Sequence, residues 1–150
     1  MNQAQKTDDN NLAESKPVVR QSISHLRLRK HADYQRAYAA SRKRQSASMS
    51  WFLAPHDHAI DPPTPRIGLT AGKVLGKAHE RNRIKRRMRE ALRRHTELFP
   101  ANYDLILHPR RSVLTIDFGK LETEIVRILE QARSEAERNA QKPAGAKPTR

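Results

Sequence analysis

The sequence predicts a small α+β domain in which helices pack against a sheet. Three observations predict it. Apolar residues alternate with a period of two around residues 48–54 and 66–71, as on a half-buried strand. Around residues 84–95 and 118–132 they recur instead with the helical period. The elements then follow in the order helix, strand, strand, basic helix, strand, helix, an order that layers helices over a sheet.

Composition narrows the class. The chain has 150 residues, 36% hydrophobic and 31% charged, which leaves room for one modest core. Its formal charge of +14 and pI near 10.9 point to a polyanionic partner, nucleic acid or an anionic membrane. With no cysteine, disulfides, thiolate zinc sites and thiol nucleophiles are excluded. No run approaches the roughly 18 apolar residues of a spanning helix, and MNQAQKTDDN lacks a signal peptide's apolar stretch. A cytoplasmic protein is the expectation.

Residues 1–22 are polar and aperiodic and read as a disordered arm ahead of a folded domain over 23–137. Structure is expected from near Leu26. Tyr34, Ala37 and Tyr38 stand at helical spacing, with Asp33 near the N-terminus where the helix dipole favours an acid, which predicts a helix over His31 to Ala40. Arg42, Lys43 and Arg44 then read as a basic loop. A strand from Ser48 to Ala54 turns Met49, Trp51 and Leu53 to one side and Ser50 and Phe52 to the other, so its two faces do different jobs. The proline-crowded stretch 55–65 reads as a loop. His56, Asp57 and His58 within it lack further ligands at metal-binding spacing and read as a surface turn.

A strand over Arg66 to Ala71 feeds the basic helix, which ends before Pro100 because a proline pushes the residue ahead of it out of helical geometry. YDLILHP, residues 103–109, is a short buried strand. The last helix starts near Asp117, a suitable N-cap, with Phe118, Leu121, Ile125, Ile128, Leu129 and Ala132 along one stripe. Its apolar face fades beyond Ala136, and 138–150 reads as a disordered tail.

The basic helix carries the functional signal. From Lys77 to Arg94 nine basic residues face two acids, Glu80 and Glu90, a net +7 that is half of the whole chain's charge. On a helical wheel Ile84, Met88, Ala91, Leu92 and His95 share an arc of about 100°. Asn82, Arg86, Arg89 and Arg93 lie at the opposite pole. Arg81 and Lys85 flank the stripe on one side, and Arg83, Arg87 and Arg94 on the other. Within the run only Glu90, with Arg86 and Arg94, offers an i,i+4 partner, so the charge is largely uncompensated and is suited to a polyanion. With Tyr34, Tyr38 and Phe52 available for stacking beside these cations, this pattern fits unpaired RNA, whose bases stack while cations track its backbone.

Arg66-Ile67-Gly68-Leu69, then Gly76-Lys77-Ala78, then Arg81-Asn82-Arg83-Ile84-Lys85-Arg86 and Arg89-Glu90 form an RNR motif on a helix after a GL strand. Together with Arg27-Leu28 and Asp33-Tyr34 through Tyr38, these residues resemble the protein subunit of bacterial ribonuclease P. That subunit assists a catalytic RNA in removing the 5′ leader from precursor tRNA. The resemblance spans Leu26 to Ala132. It implies a small αβββαβα sandwich whose four-stranded sheet contains a left-handed βαβ crossover over Arg66 to Pro109. The residues themselves mark only three strands, and about 98% of such crossovers are right-handed.

The resemblance also implies a division of roles. Asn82, Arg83 and Arg86, continued along the helix by Arg89 and Arg93, are expected to meet the ribozyme RNA. Tyr34, Tyr38, Phe52, Lys73, Arg81 and Lys85 are expected to hold the precursor's leader. The partners implied are ribonuclease P RNA and precursor tRNA, with no membrane and no required protein partner. Mg²⁺ is expected mainly on the RNA, with no catalytic residue and no metal site on the protein. Three departures stand out: Tyr34 where the family often carries phenylalanine, Val74 where it commonly carries lysine, and His79 and Glu80 where some members have apolar residues. Independent catalysis lacks a basis, because Asp57, Asp61 and Glu80 form no paired motif. The alternative is a ribosome-associated or RNA-chaperoning protein with the same basic helix. Membrane binding ranks lower, since the helix's apolar stripe is needed for the core.

Overall fold

The structure is a computed structural model that describes residues 22–56 and 64–140. After a 3₁₀ turn at Ser24–Leu26 come α1 (His31–Ala39), β1 (Arg44–Gln45), β2 (Met49–Pro55) and β3 (Arg66–Leu69). A second 3₁₀ turn, Lys73–Leu75, precedes α2 (Ala78–Arg93), and β4 (Tyr103–Pro109) and α3 (Phe118–Ala140) complete the αβββαβα order. The sheet runs β1-β2-β4-β3, with β2 antiparallel to both β1 and β4 and β3 parallel to β4. The parallel pair is joined through α2, as a crossover requires.

Strand alternation gives the sheet two unlike faces. Trp51, Leu53, Ile67, Leu105 and Leu107 point to the side covered by α2 and α3. There they meet Ile84, Met88, Ala91 and Leu92 of α2 and Leu121, Ile125, Ile128, Leu129 and Ala132 of α3 in one buried cluster. Each large side chain so buried contributes about 1.5–3 kcal/mol. The opposite face carries Phe52, Ala54, Gly68, Asp104, Ile106 and His108, in register across β2, β4 and β3, and among the described elements the short α1 is the helix that lies over it.

Two polar anchors tie the layers together. Arg66 donates to both oxygens of Asp104 at 2.8 and 3.0 Å and to Asp33 of α1 at 3.2 Å, so α1 is fastened to the sheet. Buried Glu124 of α3 accepts from the Ser46 hydroxyl at 2.5 Å and the Ser48 amide at 2.7 Å, which fixes the β1–β2 turn.

The expected elements appear, with three differences. Arg44, expected in a loop, is in β1: it pairs with Trp51 along the backbone, and its guanidinium grips Glu135 at 2.5 and 2.6 Å. This is the strand that residue patterns alone did not mark. His56, expected on a surface turn, has a buried side chain with Nε2 3.1 Å from Asp104. Asp57, His58 and Asp61, like most of the N-terminal arm and the end of the tail, lie outside the described residues. Helix α3 continues to Ala140, past the point where its apolar face fades, with Arg133 and Glu137 paired at 3.3 Å along its exposed side.

Candidate RNA interface

Helix α2 turns its apolar stripe wholly inward: Ile84, Met88 and Ala91 are fully buried and Leu92 nearly so. Because the stripe fixes the helix's rotation, Asn82, Arg83 and Arg86 are left on the exposed face. The helix start is set by Gly76, whose φ of 124° suits only glycine, and by Glu80, which accepts from the Lys77 amide at 2.9 Å. Glu80 also holds Arg111 at 2.8 Å. These partners, Arg111 first, pull its carboxyl down to about 2. Glu80 is therefore a structural acid. At the other end Glu90 binds Arg93 and Arg94, the latter at 3.2 Å, while Arg87 donates to the Ile116 carbonyl. Arg86, expected to share Glu90, has no ion pair among the described residues.

Beside this face is a cleft of about 210 Å³ with an apolar floor of Ile67, Leu69, Ala71 and Leu92. Arg27, Lys85, Arg89 and Arg93 stand around it, and among the described residues no carboxylate lines it. Burial first, and then the charge of Arg27, depress the pKa of Arg89. Arg27 reaches this place because it bridges to Ile67 on the outer edge of β3, with the Leu28 amide donating to the Ile67 carbonyl at 2.8 Å.

On the sheet's other face Tyr34, Tyr38 and Phe52 form a half-buried aromatic group. The Tyr34 and Tyr38 rings are 6.2 Å apart, and Tyr38 stands edge-on to Phe52 at 4.9 Å. Tyr34 lies over Gly68, where a Cβ would come within 2.8 Å of its hydroxyl, so glycine in β3 makes room for the ring. Beneath them Leu28, Ala37, Ala54 and Ile106 are fully packed, which keeps the rings from sinking further. Tyr34 and Lys85 thus lie on opposite faces of β3. Arg27, bridged to Ile67 at the edge of β3, lines the cleft together with Lys85, and its charge also reaches Tyr34, where burial is the larger influence.

Comparison with known proteins decides the family. Residues 24–133 match the family described as Ribonuclease P. The chain belongs to the ribonuclease P protein family. Relatives named "Ribonuclease P protein component" include one from Chloroflexus aggregans, 36% identical over 107 residues (71% of this chain, 76% of the relative). Another, from Erythrobacter litoralis, is 38% identical over 110 residues (71% and 84%). Solved ribonuclease P proteins share the fold. That of Thermotoga maritima has a TM-score of 0.61 at 23% identity, over 70% of this chain and 96% of that one. That of Staphylococcus aureus has a TM-score of 0.61 at 24% identity, over 72% and 95%.

A ribonuclease P protein is part of a ribonucleoprotein that processes tRNA, and its partner is ribonuclease P RNA. Of the residues singled out for the ribozyme, Asn82, Arg83 and Arg86 share the exposed face, whereas Arg89 and Arg93 border both the cleft and a groove beside Arg86 and Phe118. Of those singled out for the leader, Tyr34, Tyr38 and Phe52 come together. Lys85 lines the cleft, Arg81 donates to the Gly76 carbonyl at 2.8 Å, and Lys73 is exposed on the turn before α2, next to Val74 at 91% exposure. Sequence reasoning missed Arg27 and His108. Arg27 had a signal, its place in the family's N-terminal pattern, while the strand reading of YDLILHP gave His108 no role. Among the described residues no group of three or more His, Asp or Glu could hold a metal, and no helix is long and apolar enough to cross a membrane.

Proposed function

We propose that this ribonuclease P protein binds two RNA ligands on separate surfaces and assists endonucleolytic removal of the leader without itself supplying the catalytic groups. The exposed face of α2, with Asn82, Arg83 and Arg86, docks on the ribozyme RNA and lowers the repulsion between it and the tRNA. The single-stranded leader of the precursor stacks on Tyr34, Tyr38 and Phe52, crosses the edge of β3 at Arg27, and lays its phosphates along Lys85 and along Arg89, which joins this track from the set expected on the ribozyme because it lines the cleft with Lys85. Arg81 and Lys73 extend that cationic track. Stacking contributes about 1–3 kcal/mol per base, and because mature tRNA has no leader, this energy favours precursor over product. Mg²⁺ and the hydrolytic chemistry belong to the RNA.

The observation that carries this reading is the pairing of a fully buried stripe on α2 with a half-buried aromatic face, joined at one strand edge by Arg27. The test is reconstitution with ribonuclease P RNA and labelled precursor tRNA at low Mg²⁺. A protein-dependent rise in 5′ cleavage is expected; no stimulation, with co-purification on ribosomal particles, would favour an RNA chaperone instead. Leader affinity should also fall with salt, each neutralised phosphate adding about 0.7 to the logarithmic slope. A flat dependence would remove the phosphate contacts.

A further inference from the structure

Strand β4 presents three side chains to the α1 face. Ile106 is buried and Asp104 is taken up by Arg66, but His108 is only half-buried and belongs to neither group. Its ring lies 5.3 Å from Phe52 and 5.7 Å, edge-on, from Tyr38, while Nε2 is 2.9 Å from the Tyr38 hydroxyl. The imidazole therefore closes a triangle with two rings of the aromatic face.

We propose that His108 is a positioning residue of the aromatic face and a switchable cation on it, so that the protein holds a leader more tightly as pH falls. This inference rests on the reading that Tyr34, Tyr38 and Phe52 bind the leader. An unprotonated Nε2 accepts a hydrogen bond from the Tyr38 hydroxyl, whereas an imidazolium only donates. On protonation the bond persists with its direction reversed, and the Tyr38 hydroxyl hydrogen becomes available to a phosphate or base oxygen. The same proton places a cation among aromatic rings and beside the leader's backbone.

The surroundings fit such a switch. Helix α1 brings Tyr38, β2 brings Phe52 and, directly opposite in register, Ser50, and the segment between α1 and β1 brings Lys43. Asp104, on the same face, is held by Arg66. Burial first, and then the charge of Lys43, push the His108 pKa below its ordinary value, so the free protein carries a neutral imidazole at neutral pH. A polyanion laid across the face offsets Lys43 and favours the charged form. By linkage, a ligand that prefers the charged form binds more tightly as pH drops.

The test uses the holoenzyme and a precursor whose leader is all uridine, a base that does not titrate in this range. Between about pH 7.5 and about pH 5.5 the preference for precursor over mature tRNA should rise about two- to fivefold. His108→Gln keeps a hydrogen-bond partner for Tyr38 without titrating, and should hold the neutral-pH preference flat. His108→Arg, a permanent cation, should keep the higher preference throughout. A flat wild-type profile, or a rise that survives His108→Gln, overturns the proposal. Tyr34→Ala separates the two levels. If it leaves the preference intact, the aromatic-face reading itself fails, and if it lowers the preference while the wild-type profile is flat, only the role of His108 fails.

Discussion

The two faces of the sheet are built from the same strands and finished differently. Among the described residues, nineteen buried hydrophobic side chains form a continuous cluster on the face under α2 and α3; on the other face the buried hydrophobic cluster has four members, with three aromatic rings left half-covered. Trp51 and Phe52 are neighbours in β2, yet Trp51 is 2% exposed while Phe52 stays accessible. The cause is helix length. Two helices of 16 and 23 residues roof the first face, whereas the nine residues of α1 cannot roof the second. Stability is thus concentrated on one side, and the other keeps apolar surface for a ligand.

The largest expected effect tests where the stability resides. Leu105→Ala, on the α2–α3 side, should cost about 2–5 kcal/mol in denaturant unfolding, and Phe52→Ala about 1–2 kcal/mol, in proportion to its partial burial. Equal losses would erase the distinction between the faces. Next, Gly68→Ala pushes a methyl against the Tyr34 ring, and should cost about 1–3 kcal/mol of stability and reduce precursor preference while leaving ribozyme assembly intact. Arg86→Ala should change stability by less than about 0.5 kcal/mol and yet weaken assembly with the ribozyme RNA, as read by titration at fixed salt.

The smallest effect concerns pH. The folded pKa of Glu80 is about 2, below the ordinary 4.5, so its contribution is present above the ordinary value and fades as pH falls toward about 2. Glu80→Gln should flatten that part of the acid-unfolding profile. An unchanged profile would mean that the exposed pair with Arg111 contributes nothing measurable.

Much of this was legible in the sequence, for reasons that can be stated. Helix α2 was readable because its stripe of Ile84, Met88, Ala91 and Leu92 is periodic and its cations are not. Strand β2 was readable because Met49, Trp51 and Leu53 alternate with Ser50 and Phe52. Strand β1 was not: its two residues, Arg44 and Gln45, are polar, it pairs through backbone, and it is held by Glu135, 91 positions away. His56 was missed because burial beside Asp104 is a tertiary accident of β4 and leaves no local pattern. Arg27 and His108 acquire meaning only once the strand order brings them to an edge and a face.

The central claim is that two RNA ligands use different surfaces, and it is tested most directly by measuring ribozyme affinity and precursor-over-mature preference together in Arg86→Ala and Tyr34→Ala. Arg86→Ala is expected to weaken ribozyme affinity with preference retained, and Tyr34→Ala to do the reverse. If both substitutions move both quantities in the same proportion, the surfaces are one and the account is wrong.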